Sequence, residues 1–186
     1  MKMKKLSYLF TVMVLSFGFI SCGGDDKDPV MGDKSDLLGL YSGKEDIRLT
    51  DITRVAANQD ATVRFERNSQ DTNVLTVALS DLGTGVLASN FRISKEAYTF
   101  NLASVNLTGL QGNEVPGYIR EWFAGDYDSL EKVDIKLNAT NGKYDRLTES
   151  MEITYRGSLT IYPKVGSTSP TPVTYQIEFK YYDLKK

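Results

Sequence analysis

From Leu37 to the end of the chain, apolar side chains recur at every second position in run after run. Val63 and Phe65 alternate with Thr62, Arg64 and Glu66 over 62–67, and Leu75, Val77 and Leu79 repeat the pattern over 74–79. A period of two places alternate side chains on opposite faces of an extended chain, so each run predicts a half-buried β-strand. The polar stretch 69–73 (SQDTN) between these two runs marks a hairpin. Further strands are predicted over 40–49, 86–93, 98–102 with an extension to 107, 133–139, 151–163 and 173–182. Residues 81–85 (DLGTG) and 164–172 (KVGSTSPTP) carry turn and loop chemistry. Asn141-Gly142 has the composition of a type I′ turn, with 143–147 pairing back across it, and Gly157 suits a bulge or bend.

The period changes once. Ile119, Trp122 and Phe123 stand at i, i+3 and i+4, one face of a helix, with Pro116 suited to a first turn and Gly125 to a stop. A short helix is predicted over 116–124, with a further helical turn over 129–132. About eight strands in hairpin order and one short helix, with no internal repeat, define an all-β chain. The architecture expected is an antiparallel up-and-down barrel of about eight strands, with a β-sandwich as the alternative. Closure of the sheet is preferred because it removes the exposed edges of an open one.

The first 21 residues follow another rule. Lys2, Lys4 and Lys5 precede an uncharged apolar run over 6–20, the layout of a secretory signal. As a helix that run is roughly 22 Å long, short of a bilayer's hydrocarbon thickness. Phe19, Ile20, Ser21 and Cys22 resemble the lipobox of bacterial lipoproteins, which implies cleavage before Cys22 and lipid attachment at that residue. The Gly-Gly-Asp-Asp that follows resembles the surface lipoproteins of the Bacteroidetes, where acidic residues after the cysteine direct export to the outside of the outer membrane. The resemblance implies an outer-membrane, lipid-anchored protein on the cell surface, with the periplasmic face as the other location. Residues 1–21 then form the signal peptide, 22–36 a flexible tether rich in Gly, Asp and Lys, and 37–186 a single domain. The aspartates of the tether lack the spacing and distal Glu of a calcium loop.

Composition narrows the chemistry. Three of the 22 basic side chains and none of the 24 acidic ones lie in residues 1–21, leaving a net charge of −5 on the remainder. That argues against nucleic acid as a partner. The chain has no histidine, and its one cysteine stands at the lipidation position. Ser-His-Asp and Cys-His catalysis, thiol chemistry and Cys/His zinc sites are thereby excluded. No enzymatic activity and no cofactor or metal are expected. Glu121, Asp126 and Asp128 read as a solvated loop rather than a catalytic set.

Residues 38–43 (LGLYSG) resemble the opening of lipocalin-like domains in Bacteroidetes lipoproteins, and 155–161 (YRGSLTI) resemble their late strands. The resemblance implies a lipocalin-like barrel and, with it, a binding module. A tyrosine stands where lipocalins usually carry Trp, and 108–132 departs from a simple meander. The expected ligand is a small apolar molecule, a lipid or a glycan. The candidate ligand-binding residues are Ile119, Trp122 and Phe123, whose blander reading is the buried face of a capping helix. The alternative function is structural: a filled barrel binding an envelope partner, not identified by the sequence, through its outer face. Asp128-Ser129-Leu130 resembles the triplet at which Bacteroidetes O-glycosylate exported proteins, which makes Ser129 a candidate modification site.

Overall fold

The structure is a computed structural model and describes residues 33–80, 82–123, 130–164 and 171–186. Ten antiparallel strands are present among them: β1 (Gly39–Leu49), β2 (Arg54–Arg67), β3 (Leu75–Leu79), β4 (Gly85–Ile93), β5 (Ala97–Leu102), β6 (Val105–Leu110), β7 (Leu130–Leu137), β8 (Thr140–Asp145), β9 (Ser150–Pro163) and β10 (Val173–Lys185). One helix, α1 (Gly117–Trp122), lies between β6 and β7.

The ten strands amount to an eight-strand meander. Leu102 opposite Thr140 and Val105 opposite Leu137 belong to one continuous register, so β5 with β6 and β7 with β8 are two long strands, each interrupted once. Each strand pairs with its neighbour in sequence, and β10 returns to β1, with Ile47 opposite Phe179. The sheet closes, and the fold is a barrel rather than a sandwich. Its closed end carries the start of β1, the turns after β2, β4 and β8, and the end of β10. Its other end carries α1.

Inward-facing positions alternate with polar outward ones, as period two requires. Tyr41, Phe65, Phe100, Tyr155 and Phe179 are buried in the lumen. The Phe65 and Phe100 rings meet edge-on at 5.3 Å, and Tyr41 meets Phe65 at 5.8 Å. An eight-stranded barrel has an interior just wide enough for such side chains. Both ends are stopped by one apolar residue: Leu37 and Ile119 are each 0% exposed. Leu37 belongs to a 3₁₀ turn, Lys34–Leu37. Tyr98 donates to Asp36 Oδ2 at 2.5 Å, Tyr41 to the Leu37 carbonyl at 3.0 Å, and Lys186 Nζ to the Asp36 carbonyl at 2.6 Å. Lys34, Ser35 and Asp36, expected in the tether, therefore fold with the domain.

Several sequence expectations are corrected. Asn141-Gly142 makes no turn; both residues lie inside β8, and Gly142 faces inward beneath Phe100. Leu130 to Lys132 are strand, not helix. β2 begins at Arg54, eight residues before the apolar alternation does. Gly157 serves a close approach of β7: a Cβ there would stand 1.9 Å from the Lys136 carbonyl oxygen.

Candidate functional site

The β3–β4 hairpin is too short to reach the α1 end of the barrel. On β2, residues 54–61 pair only with β1, and on β6, Val105–Leu110 pair only with β7. A gap in the ring results. Two carboxylates on the outer surface shape its sides. Asp46 accepts the Asn58 N–H at 2.8 Å and the Tyr182 hydroxyl at 3.1 Å, holding a β2 bulge in which Asn58 has φ +57°. Such a bulge bends the strand that carries it. Asp134, largely buried, accepts the Gly109 N–H at 2.7 Å and the Tyr162 hydroxyl at 3.0 Å, holding a second bulge where β6 leaves β7. That hydrogen bond, and burial after it, raises the Tyr162 hydroxyl above its ordinary range. The Lys132 ammonium stands 4.6 Å from the Tyr162 ring.

Residues 113–122 border the gap, and a cleft of about 810 Å³ remains between them and β2. Its floor is Glu45, which is only 2% exposed. Glu45 occupies the inward phase of β1, with Tyr181 opposite on β10 and Gln59 opposite on β2. The far wall is aromatic: Tyr118 and Trp122 of α1 lie 5.3 Å apart, and Tyr118 reaches Phe179 at 6.1 Å. Arg120 donates to Asn113 Oδ1 at 3.3 Å. At the rim Lys44 binds Asp60 at 2.7 Å, and this hydrogen bond, with the lysine's charge, holds the Asp60 carboxyl below the usual carboxylate range. Carboxylate, amide and guanidinium groups beside two partly exposed rings form a set that hydrogen-bonds hydroxyls and stacks on C–H faces.

The three expected ligand residues part company. Ile119 is the barrel's plug and touches no cleft. Phe123 packs on Tyr175 at 5.6 Å. Trp122 alone lines the cleft. Cys22, Ser129, Asp126 and Asp128 lie outside the described residues. Sequence reasoning passed over Glu45, Gln59 and Asp60. Glu45 had a readable signal: a charge on the phase otherwise occupied by Tyr41, Ile47 and Leu49.

A second depression, about 910 Å³, lies on the outer face of β4, β5, β8 and β9. Asn90, Thr99, Asn101, Asn141 and Thr154 line it. Asn90 has φ +53° at a bulge in β4. Compared with protein-family models, with curated proteins and with solved structures, the chain matches none.

Proposed function

We propose that this chain is an exported envelope lipoprotein of the lipocalin-like kind, cleaved before Cys22, acylated there and held at the outer membrane. Its barrel acts as a binding module, and its ligand is a glycan fragment in the cleft beside α1. One contrast carries this reading. Aromatic rings fill the lumen, while a polar cleft with a carboxylate floor and a Tyr118–Trp122 wall stays open. An apolar molecule or lipid would need space in the lumen that Phe65, Phe100 and Phe179 occupy.

Trp122 is the chain's only tryptophan, so fluorescence excited at the red edge, where the tyrosines do not absorb, reports on the cleft. Oligosaccharides released from the host's own envelope are titrated into the mature protein. The expected result is a saturable shift in emission, weakened about tenfold by Glu45→Gln, which corresponds to about 1.4 kcal/mol. Native mass spectrometry of protein from its own host is run alongside. A bare, acylated polypeptide whose emission no glycan alters overturns the cleft as a binding site.

The outer depression favours a second reading, an interaction protein engaging an envelope partner through its β4–β5–β8–β9 face. Cross-links to a protein from positions 101 and 141, with Trp122 emission unchanged, are its signature.

A further inference from the structure

We infer that the outer face of β1, β10, β9 and β7 around Glu178 is a docking surface for an acidic polysaccharide, one that carries carboxylate or phosphate groups along its chain. The surface is separate from the cleft and does not depend on the reading of it. Cross-strand register sets its plan. Arg48 of β1 and Arg156 of β9 stand on either side of Glu178 of β10. Lys180, two residues on from Glu178, lies opposite Asp46 and Thr154. Lys136 of β7 lies opposite Ser158, two residues on from Arg156. One cation thus stands on each of four neighbouring strands. Adjacent strands are about 4.8 Å apart, which sets the two arginine backbones about 10 Å from each other.

The carboxylates of this face are turned back onto the protein, and the cations are not. Glu178, 5% exposed, is held between the two guanidiniums. Asp46 accepts the Asn58 N–H and the Tyr182 hydroxyl, and Asp51 accepts the Gln176 N–H at 2.8 Å. The Arg48 and Arg156 side chains, by contrast, are 53% and 77% exposed, and Lys136 and Lys180 are exposed as well. Arg48 meets Glu178 through Nη2 and Arg156 through Nε. A guanidinium has five donors, so each fork keeps several for an incoming oxyanion. The shared carboxylate holds both forks in place before anything binds, which lowers the ordering cost of binding. Four cations spread over four strands match a chain of repeating acidic groups better than one small anion. A protein partner needs apolar anchors. Among the described residues, the only exposed large apolar side chain in these cross-strand rows is Val55, opposite Arg48 at the β2 margin.

The test titrates the mature protein by calorimetry with oligogalacturonate and with the same oligomer methyl-esterified, which keeps the sugar chain and removes its charge. The acid oligomer is expected to bind, to lose affinity about tenfold between low and physiological salt, and to leave Trp122 emission unchanged; the ester is expected not to bind. Lys136→Gln combined with Lys180→Gln leaves the Glu178 pairs intact and is expected to weaken binding about tenfold. Arg156→Lys keeps the charge but loses the fork, and is expected to weaken binding about threefold, with urea unfolding run to show that the seam holds. Equal binding of the ester, or undiminished binding by the double lysine variant, overturns the surface. So does a Trp122 shift that Glu45→Gln removes, which would place the oligomer in the cleft. An acid oligomer that does not bind overturns it as well, and binding to phosphatidylglycerol vesicles in its place would make this a lipid-facing surface.

Discussion

Phe100 lies flat over Gly142 across the β5–β8 ladder, so close that a Cβ on residue 142 would stand 2.2 Å from Cε2 of the ring. In most strands glycine is a weak choice and alanine improves it. Here the sign reverses, because the ring sits in a lumen already packed by Phe65 at 5.3 Å and Phe91 at 6.0 Å. Gly142→Ala is expected to cost about 1–3 kcal/mol, the range for overpacking a filled core. Gly117→Ala, at the start of α1 where the nearest atom is 3.9 Å away, is the comparison and is expected to be neutral or stabilising by up to about 1 kcal/mol. Urea unfolding of both variants checks the pair.

That contact also marks where the sequence could be read and where it could not. Strands whose inward phase is unbroken, such as β9 with Met151, Ile153, Tyr155, Leu159 and Ile161, are legible because burial on one face imposes the period directly. Gly142 is not legible as a strand residue, because what selects glycine there is a ring more than forty positions away. The first half of β2 is hidden for a related reason. Its bulge at Asn58 is held by Asp46 of another strand, and six of its first seven side chains, residues 54–60, are exposed, so no alternation forms. The cleft inherits this difficulty. Trp122 was visible from helical spacing, and Glu45 could have been read from its phase on β1. The gap that joins them depends on the length of the β3–β4 hairpin and on two bulges, which local pattern does not encode.

Glu178 binds the seam of the barrel. On the outer face of β10 it lies opposite both Arg48 of β1 and Arg156 of β9, at 2.5 Å and 2.7 Å. Burial pushes its carboxyl up, but the hydrogen bonds from Arg156 and Arg48, with their charges, outweigh burial and leave it below the usual range. A carboxyl lowered by folding contributes stability above its unfolded pKa of about 4.3, and that contribution fades as pH falls through the folded value. Glu178→Ala, which leaves two exposed arginines facing each other, is expected to lose about 1 kcal/mol at pH 7. The difference from wild type should shrink below about pH 4, as unfolding curves at pH 7 and pH 3 would show.

Tyrosines make the alkaline limb. Burial, then the hydrogen bond to Asp36, pushes the Tyr98 hydroxyl up to about 12. Burial also drives Tyr41 and Tyr155 well above their ordinary range. A hydroxyl raised by folding is fully stabilising below its unfolded pKa near 10 and loses that contribution as pH climbs toward 12. Stability is expected to fall steeply above pH 10. The difference in absorbance at 295 nm between wild type and Tyr98→Phe should show Tyr98 ionising only with unfolding, and Tyr98→Phe should flatten the decline. A Tyr98 that titrates near pH 10 in the native protein would remove the Asp36 link.

The two plugs differ in what they hold. Leu37 and Ile119 are equally buried, so truncating either to alanine removes the same kind of packing, about 2–5 kcal/mol in a core that cannot collapse around the void. Their settings are unequal. Leu37 sits in a turn fixed by bonds from Tyr41, Tyr98 and Lys186, drawn from β1, β5 and the last residue of the chain, so little there can shift to fill the space. Ile119 sits on a six-residue helix that borders an open cleft, and α1 can settle toward the lumen. Leu37→Ala is therefore expected at the upper part of that range and Ile119→Ala at the lower. Ile119→Ala alone should also move Trp122 emission, because the helix that carries the tryptophan is displaced. Equal losses in urea with unchanged emission in both variants would mean that α1 is as rigid a stopper as the 3₁₀ turn, and that the cleft beside it is fixed rather than adjustable.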